Sequence, residues 1–325
     1  MTVGILGAGL AGLAASRRLS EANQPTVLFD KARGVGGRTS IRRILEGSFD
    51  LGAQYFTVRT EEFQRQVDLW ADRGVVARWE APIAVLEKDA EFPPTRHSTT
   101  PTRWVGVPGM NALARDLAPA STILQSRIVR VERRDDGWWF LTESDGQHGP
   151  FSAVISTLPS PQTVELLEAW TLDRADLPDF DFQPCWAVLV SFESDLGLPF
   201  GGAFVHGSPL SWVANHRTKP GRPQTEAWIL HAGGDWTTEH WELNPEKVCS
   251  ILVEEFLTLV HAEGARVLGW NGHRWRYALA EKPAERGFLG DRASGIIFAG
   301  DWAHGGRVEG AYLSGVRAAE SLLVR

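Results

Sequence analysis

Three glycines, Gly7, Gly9 and Gly12, stand in G-x-G-x-x-G spacing between an apolar run at residues 2–6 and a second apolar stretch at residues 10–22. The spacing has a chemistry. Gly7 permits a tight turn, Gly9 lets backbone N–H groups approach a pyrophosphate, and Gly12 lets a helix pack closely on a strand, with the helix N-terminus facing the anion. Asp30 closes the next apolar run, residues 26–30, where a carboxylate accepts from a ribose hydroxyl and repels a 2′-phosphate. Lys31, Arg33 and Arg38 follow at once, interleaved with Gly34 and the pair Gly36-Gly37. Standing alone, that segment reads as a solvated loop. After the first cradle it reads as a second one, suited to the longer pyrophosphate–ribityl–isoalloxazine body of FAD rather than to NAD.

Other chemistries lack their residues. The nine histidines show no HExxH or HxH spacing, so no metal site is expected, and no GxSxG elbow supports a hydrolase. Cys185 and Cys249 are too far apart for a CxxC motif and too few for a disulfide framework, which fits a reducing cytoplasm. With 33 Lys+Arg against 40 Asp+Glu the formal charge is −7, so a nucleic acid would be bound against the overall field. The apolar start has no basic n-region, and no stretch reaches the roughly 18 apolar residues of a membrane span. A cytoplasmic enzyme free of the membrane is the expectation.

These residues need elements to hold them. Residues 2–6, 10–22 and 26–30 form a strand–turn–helix–strand unit, the opening of a doubly wound α/β fold. Residues 295–299 predict a further strand and residues 308–323 a helix, so nucleotide-type elements occur at both ends. Between them residues 127–133 and 137–142 predict a hairpin, and 151–156 one strand. Residues 60–73 predict a helix with Phe63, Val67 and Trp70 on one face. Residues 183–192, 202–205, 210–213, 226–231 and 266–277 predict an antiparallel sheet, and Asn244-Pro245-Glu246 opens a helix to about residue 262. Phe92 to Pro101, rich in Pro and Thr, predicts a loop or hinge.

At 325 residues the chain exceeds the about 250–300 that one core serves, so two domains are expected. The architecture inferred is a discontinuous Rossmann-like FAD-binding domain (1–58, 100–162 and 278–325) with an inserted substrate domain of mixed or antiparallel sheet (59–99 and 163–277).

Several segments together resemble the monoamine-oxidase-type flavoproteins, and among them the bacterial renalases. They are FDKA at residues 29–32, DLGAQYF at 50–56, STLPSPQ at 156–162, SWVANHRTKPGR at 211–222, HRWRYA at 273–278 and AGDWAHGGRVEGAYLSG at 299–315. The likeness spans nearly the whole chain. It implies noncovalent FAD, since no cysteine follows Cys249 to carry a flavin link. It implies a hydride moving to flavin N5 from 2- or 6-dihydro isomers of NAD(P)H, with return of NAD(P)+ and with O2 reduced to H2O2. Carried over by position, Gly7, Gly9 and Gly12 hold the pyrophosphate, Asp30 and Lys31 the adenosine ribose, and Ile128 the adenine through its backbone. Gly37, Arg38, Gln54, Gly300 and Asp301 lie along the phosphates and ribityl chain, and Arg307, Val308, Glu309 and Gly310 approach the flavin pyrimidine edge. A helix start there faces the negative charge of a reduced flavin.

Dihydropyridine oxidation asks little acid–base help of the protein, because the ring nitrogen lone pair drives hydride departure. Stacking and orientation suffice. Tyr55, Trp212 and His231 are the first candidates for that role, ahead of His206, Asn215, Trp275 and Tyr277. Arg217, Lys219 and Arg222 could meet a dinucleotide's phosphates or form a solvated loop. Two other functions stay open: an FAD amine oxidase, for which Lys219 or Lys282 would be the lysine near N5, and a flavin-binding sensor without turnover.

Overall fold

The computed structural model describes residues 2–44, 47–88, 90, 92–94, 101–167 and 177–323. The chain opens with β1 (Val3–Leu6), α1 (Leu10–Glu21), β2 (Thr26–Phe29) and a hairpin of β3 (Ile41–Ile44) and β4 (Gly47–Asp50). Next come α2 (Glu61–Asp72), β5 (Val76–Arg78), β6 (Ile83–Glu87), β7 (Trp104–Gly106), α3 (Ala112–Leu117) and β8 (Thr122–Ile123). A meander of β9 (Ile128–Arg134), β10 (Gly137–Thr142) and β11 (Gln147–Phe151) leads to β12 (Ala153–Ser156) and α4 (Ser160–Leu166). Then follow β13 (Phe182–Phe192), β14 (Gly202–His206), β15 (Leu210–Asn215), β16 (Ala227–Ala232), α5 (Gly234–Glu239), α6 (Pro245–Leu259) and β17 (Val267–Ala280). The last described elements are β18 (Leu289–Asp291), β19 (Ile296–Phe298) and α7 (Arg307–Leu323).

Two six-stranded sheets organise these elements. The first runs β18-β19-β12-β1-β2-β8, parallel except for β18, and thus joins the start, middle and end of the chain. β1 has neighbours on both edges and is buried along its length, which is why it lacks polar alternation. The second runs β17-β13-β16-β15-β14-β6 and is antiparallel except for the β14–β6 pair. The fold is thus α/β, a Rossmann-like unit with a mixed sheet inserted into it.

Each strand of the second sheet divides its residues by parity. On β13, Trp186, Val188 and Val190 join Trp228 and Leu230 of β16 and Val248, Leu252 and Phe256 of α6 in one core. Leu189, Ala227 and Ile229 look the other way, onto Phe49 and Leu51 of the nucleotide side. Helix α6 starts where expected because Asn244 accepts from the Glu246 N–H at 2.8 Å and Pro245 occupies the first turn.

Two expectations differ. The single strand at residues 151–156 is two strands: Phe151 ends the meander, and Ser152 donates its N–H to Thr2 O as the chain changes sheet. Helix α2 lies in the segment assigned to the substrate domain, yet Phe63, Val67 and Trp70 share a core with Leu13 of α1 and Leu313 of α7. Of residues 59–99, β6 is the strand that enters the second sheet; the difference arises because α2's apolar stripe finds its partner in the far end of the chain. Residues 95–100 of the expected hinge lie outside the described residues.

Candidate active site

The glycine turn is built as its spacing requires. Gly7 has φ +99°, and a Cβ at Gly12 would stand 2.0 Å from Gly7 O, so the helix docks only without a side chain there. Where a Cβ of Gly9 would sit there is open space within 4 Å, and Gly9 caps α1 with no side chain accepting from its first turn. An anion can take those N–H groups. Asp30 fastens the turn: its Oδ2 accepts from Ala8 N–H at 2.7 Å and its Oδ1 from Ala32 N–H at 2.8 Å, and each oxygen keeps a lone pair for a ribose. The second glycine segment lies along the first, with Gly36 N–H donating to Ala8 O at 2.8 Å.

Lys31, Arg33, Gln125, Ser126 and Arg127 line a cavity of about 520 Å³ beyond Asp30. Ile128 follows it at the start of β9. At the other end Arg38 grips Asp301 with two parallel bonds, Nη1 to Oδ2 at 3.0 Å and Nη2 to Oδ1 at 2.5 Å, and donates to Ala278 O at 3.1 Å. Gly300 N–H donates to Ser314 Oγ at 2.9 Å, which ties the Gly-Asp turn to α7. An open backbone cradle, a ribose acceptor and a cation–acid pair in one line fit FAD.

The face of the second sheet that looks toward Leu51 carries the other half of the site. Strand register places Phe204, Trp212, His231, Ala187 and His273 in a row across it, with Trp275 two residues on from His273. Tyr55 leans on this row, 5.3 Å from Trp212 and 6.1 Å from Trp79. The indole Nε1 of Trp212 is buried without a hydrogen-bond partner. His231 Nε2 lies 3.0 Å from Leu51 O, so it carries the proton; burial foremost holds its pKa down to about 4, and the ring is neutral. Trp275 Nε1 donates to the same carbonyl at 3.3 Å.

Tyr55, Trp79 and Trp212 together form an aromatic box, and beneath it lies a buried charge cluster. Arg222 donates to Asp50 Oδ2 through Nε (3.1 Å) and Nη2 (2.7 Å), and Met110 N–H donates to Oδ1 at 2.8 Å. Burial works against the Asp50 carboxylate, yet Arg222, Lys219 and the Met110 N–H hold its pKa below the usual range. Lys219 has no carboxylate of its own: its Nζ is 4.0 Å from Asp50 Oδ2, 2.7 Å from Gln54 Oε1 and 5.3 Å from the Trp79 ring centre. Burial drives its pKa down to about 7, and His216 is held neutral at about 3 by the same cause. One carboxylate thus faces two cations.

A family model described as flavin containing amine oxidoreductase matches residues 74–323, and one for the NAD(P)-binding Rossmann-like domain matches residues 5–72. The chain belongs to the flavin-containing amine oxidoreductases. Like its relatives in that family it is an FAD-dependent oxidoreductase, and FAD is its cofactor. A protein from Exiguobacterium sp. 255-15 named as a protoporphyrinogen oxidase shares the fold at TM-score 0.77, with 14% identity over 99% of this chain and 98% of that one. Wild-type putrescine oxidase bound to putrescine does so at TM-score 0.74, with 13% identity over 100% of both. These likenesses concern the fold.

Within this amine oxidoreductase several candidate residues have other duties. The Gln54 amide is engaged within the protein: Nε2 donates to Asp50 O and Gly52 O, and Oε1 accepts from Lys219. The Glu309 carboxylate accepts from Arg59 N–H and Thr60 N–H, each at 2.9 Å, and from Thr60 Oγ at 2.7 Å, anchoring the start of α2. Its backbone, with Val308 and Gly310, remains in the first turn of α7, while Arg307 is exposed with φ +69°. Arg217 pairs with Asp195 and Glu226 near the surface, while Lys219 and Arg222 are fully buried, so neither of those two meets a ligand's phosphates at the surface. A cationic run in sequence carries no sign of its depth. Asn215 gives its amide to Glu226, and His206 is exposed at the end of β14. Trp79, Arg103 and Asp50 were not singled out by sequence; Asp50 alone had a signal, its place in DLGAQYF.

Proposed function

We propose that this oxidoreductase takes hydride from 2- or 6-dihydro isomers of NAD(P)H, in the manner of a bacterial renalase, returning NAD(P)+. The charge and shape of the box around Tyr55 and Trp212 carry the reading. One of its π faces is already attended by a protein cation, Arg103 at 5.3 Å from Tyr55, Lys219 lies 5.3 Å from Trp79, and the Asp50 carboxylate of the cluster below is committed to Arg222. A protonated amine would meet like charge there; a flat, neutral dihydropyridine would not. Noncovalently bound FAD would supply the two-electron acceptor; overall, the dihydronicotinamide, O2 and one proton from solvent give NAD(P)+ and H2O2.

The chain's own residues stack and orient. Tyr55 and Trp212 offer the walls, the Trp212 Nε1–H has a bond to give to a carboxamide oxygen, and neutral His231 keeps Nδ1 as an acceptor. No residue has to move a proton. The Arg38–Asp301 pair and the Gly9 cradle fix the cofactor end.

One observation favours a second reading, amine oxidation: Lys219 lies inside the protein beside Gln54, where a lysine near the flavin would be wanted. Anaerobic stopped-flow of the FAD-loaded protein against 2-dihydroNAD, 6-dihydroNAD, NADH and an amine panel including putrescine separates the two. Fast loss of oxidised-flavin absorbance with a dihydro isomer and slow loss with amines is expected. The reverse order would assign amine oxidation, and no loss with any donor would leave a flavin-binding sensor.

A further inference from the structure

Helix α7 begins without the cap that its own residues could supply. Gly306, just before it, has no side chain to accept from the first turn, and the acid of that turn is Glu309. An acid at the third position of a helix commonly reaches back to the helix start. Glu309 turns away instead, and both of its oxygens go to the start of α2: Oε2 accepts from Arg59 N–H at 2.9 Å, and Oε1 from Thr60 N–H at 2.9 Å and Thr60 Oγ at 2.7 Å. The N–H groups of Val308 and Glu309 have no acceptor inside the helix, and among the described residues no other group accepts from them. The carboxylate stays close to these open donors. Glu309 is only 8% exposed and makes no salt bridge among the described residues, so its charge is not neutralised by a cation of the protein. Its place is fixed by further ties between the same two helices, Tyr312 Oη donating to Gln66 Oε1 at 2.9 Å and the Tyr312 ring lying 5.5 Å from Phe63.

We infer that Glu309 tunes the bound flavin, holding its reduction potential down by keeping one negative charge beside the helix start that meets the pyrimidine edge. The inference rests on that edge lying at the first turn of α7, and not on which donor reduces the flavin. Reduction places negative charge on the pyrimidine side of the ring, and a helix N-terminus with open N–H groups favours that charge. A carboxylate in the same turn opposes it. Because Glu309 spends its oxygens on α2, the N–H groups stay open to the cofactor in either redox state, while its charge trims the gain on reduction. A lower potential gives the return of electrons to O2 a larger driving force, which suits an oxidase. A glutamate bonded back to its own helix would instead close the donors.

The test needs no substrate. The FAD-loaded full chain is brought to equilibrium with a redox dye, and the ratio of reduced to oxidised flavin is read from absorbance. Glu309→Gln keeps the length of the side chain and an acceptor oxygen but removes the charge; the ratio at a fixed dye poise should rise about tenfold, or about 30 mV for a two-electron couple. Thr60→Val removes one of the three bonds and leaves the charge, so its ratio should stay within about twofold of wild type. Glu309→Asp draws the same charge one methylene closer to α7 and should lower the ratio; this variant carries the test if Glu309→Gln fails to hold FAD. An unchanged or lower ratio in Glu309→Gln, a rise in Glu309→Asp, or an equal rise in Thr60→Val overturns the inference and leaves Glu309 as a tie between two helices. If the dihydro isomers fail to reduce a wild-type flavin whose potential answers to Glu309 in this way, the proposed substrate fails and the role of Glu309 stands.

Discussion

The two faces of the second sheet are made by the same strands and have opposite characters. Toward α6 the sheet presents Trp186, Val188, Val190, Trp228 and Leu230, a surface of apolar volume. Toward the nucleotide side it presents Trp212, His231, His273 and Trp275, whose polar atoms meet the Leu51 carbonyl, the Arg42 guanidinium or nothing at all. Parity along each strand keeps the two apart, so one face can be tuned for packing and the other for a ligand. The face toward α6 should answer to mutation in stability, and the other in activity.

The largest effect should come from the packing face. Trp228→Ala removes a fully buried indole and should cost about 3–5 kcal/mol in urea unfolding, while FAD reduction in the folded fraction stays close to wild type. Asp50→Asn, under the opposite face, leaves Arg222 buried without its anion and should cost about 3 kcal/mol or more. A loss under 1 kcal/mol there would mean the cluster is not a buried ion pair.

Titration sharpens the contrast, because the histidines and the lysine with lowered values lie on the side of the site. His231 is held at about 4 and His216 at about 3, against about 6.5 when unfolded. Between those values the unfolded chain binds more protons, so stability should fall as pH drops below 6.5, by up to about 1.4 kcal/mol per unit for each histidine. His231→Gln should flatten that slope. Lys219, at about 7 folded against 10.5, has the same sign in the next window: stability should rise from pH 7 toward 10.5, and Lys219→Met should abolish the rise.

Trp212→Phe should change stability by no more than about 1.5 kcal/mol, because its Nε1 loses no partner. Flavin reduction by a dihydro isomer should slow about tenfold, or roughly 1.4 kcal/mol in the barrier. A large stability loss with unchanged reduction would make both faces packing surfaces. The smallest effect is expected at Arg18–Glu320, where both side chains are well exposed and Arg18→Ala should cost about 0.5 kcal/mol or less.

What could be read from sequence follows distance along the chain. The cradle was legible because its geometry is local: Gly7, Gly9 and Gly12 act through the turn they sit in, and Asp30 lies one strand away. Trp212 and His231 were candidates by residue type alone, as groups able to stack on and orient a flat ring. The cluster was not legible. Lys219 and Arg222 sit in a Pro/Gly-rich run with the composition of a solvated loop, and they are buried because Asp50, Gln54 and Trp79 cover them from well over a hundred residues away.

By itself, then, the sequence determined the FAD cradle, the helices and strands that carry it, and the parity that separates the faces of the second sheet, because each depends on neighbours a few residues apart. Only the tertiary structure decided which charges are buried, which carboxylate they share, and that the side chains of Gln54 and Glu309 bond to distant parts of the chain. A side chain's depth and partners are properties of contacts between distant segments, and no local pattern of residue types encodes them.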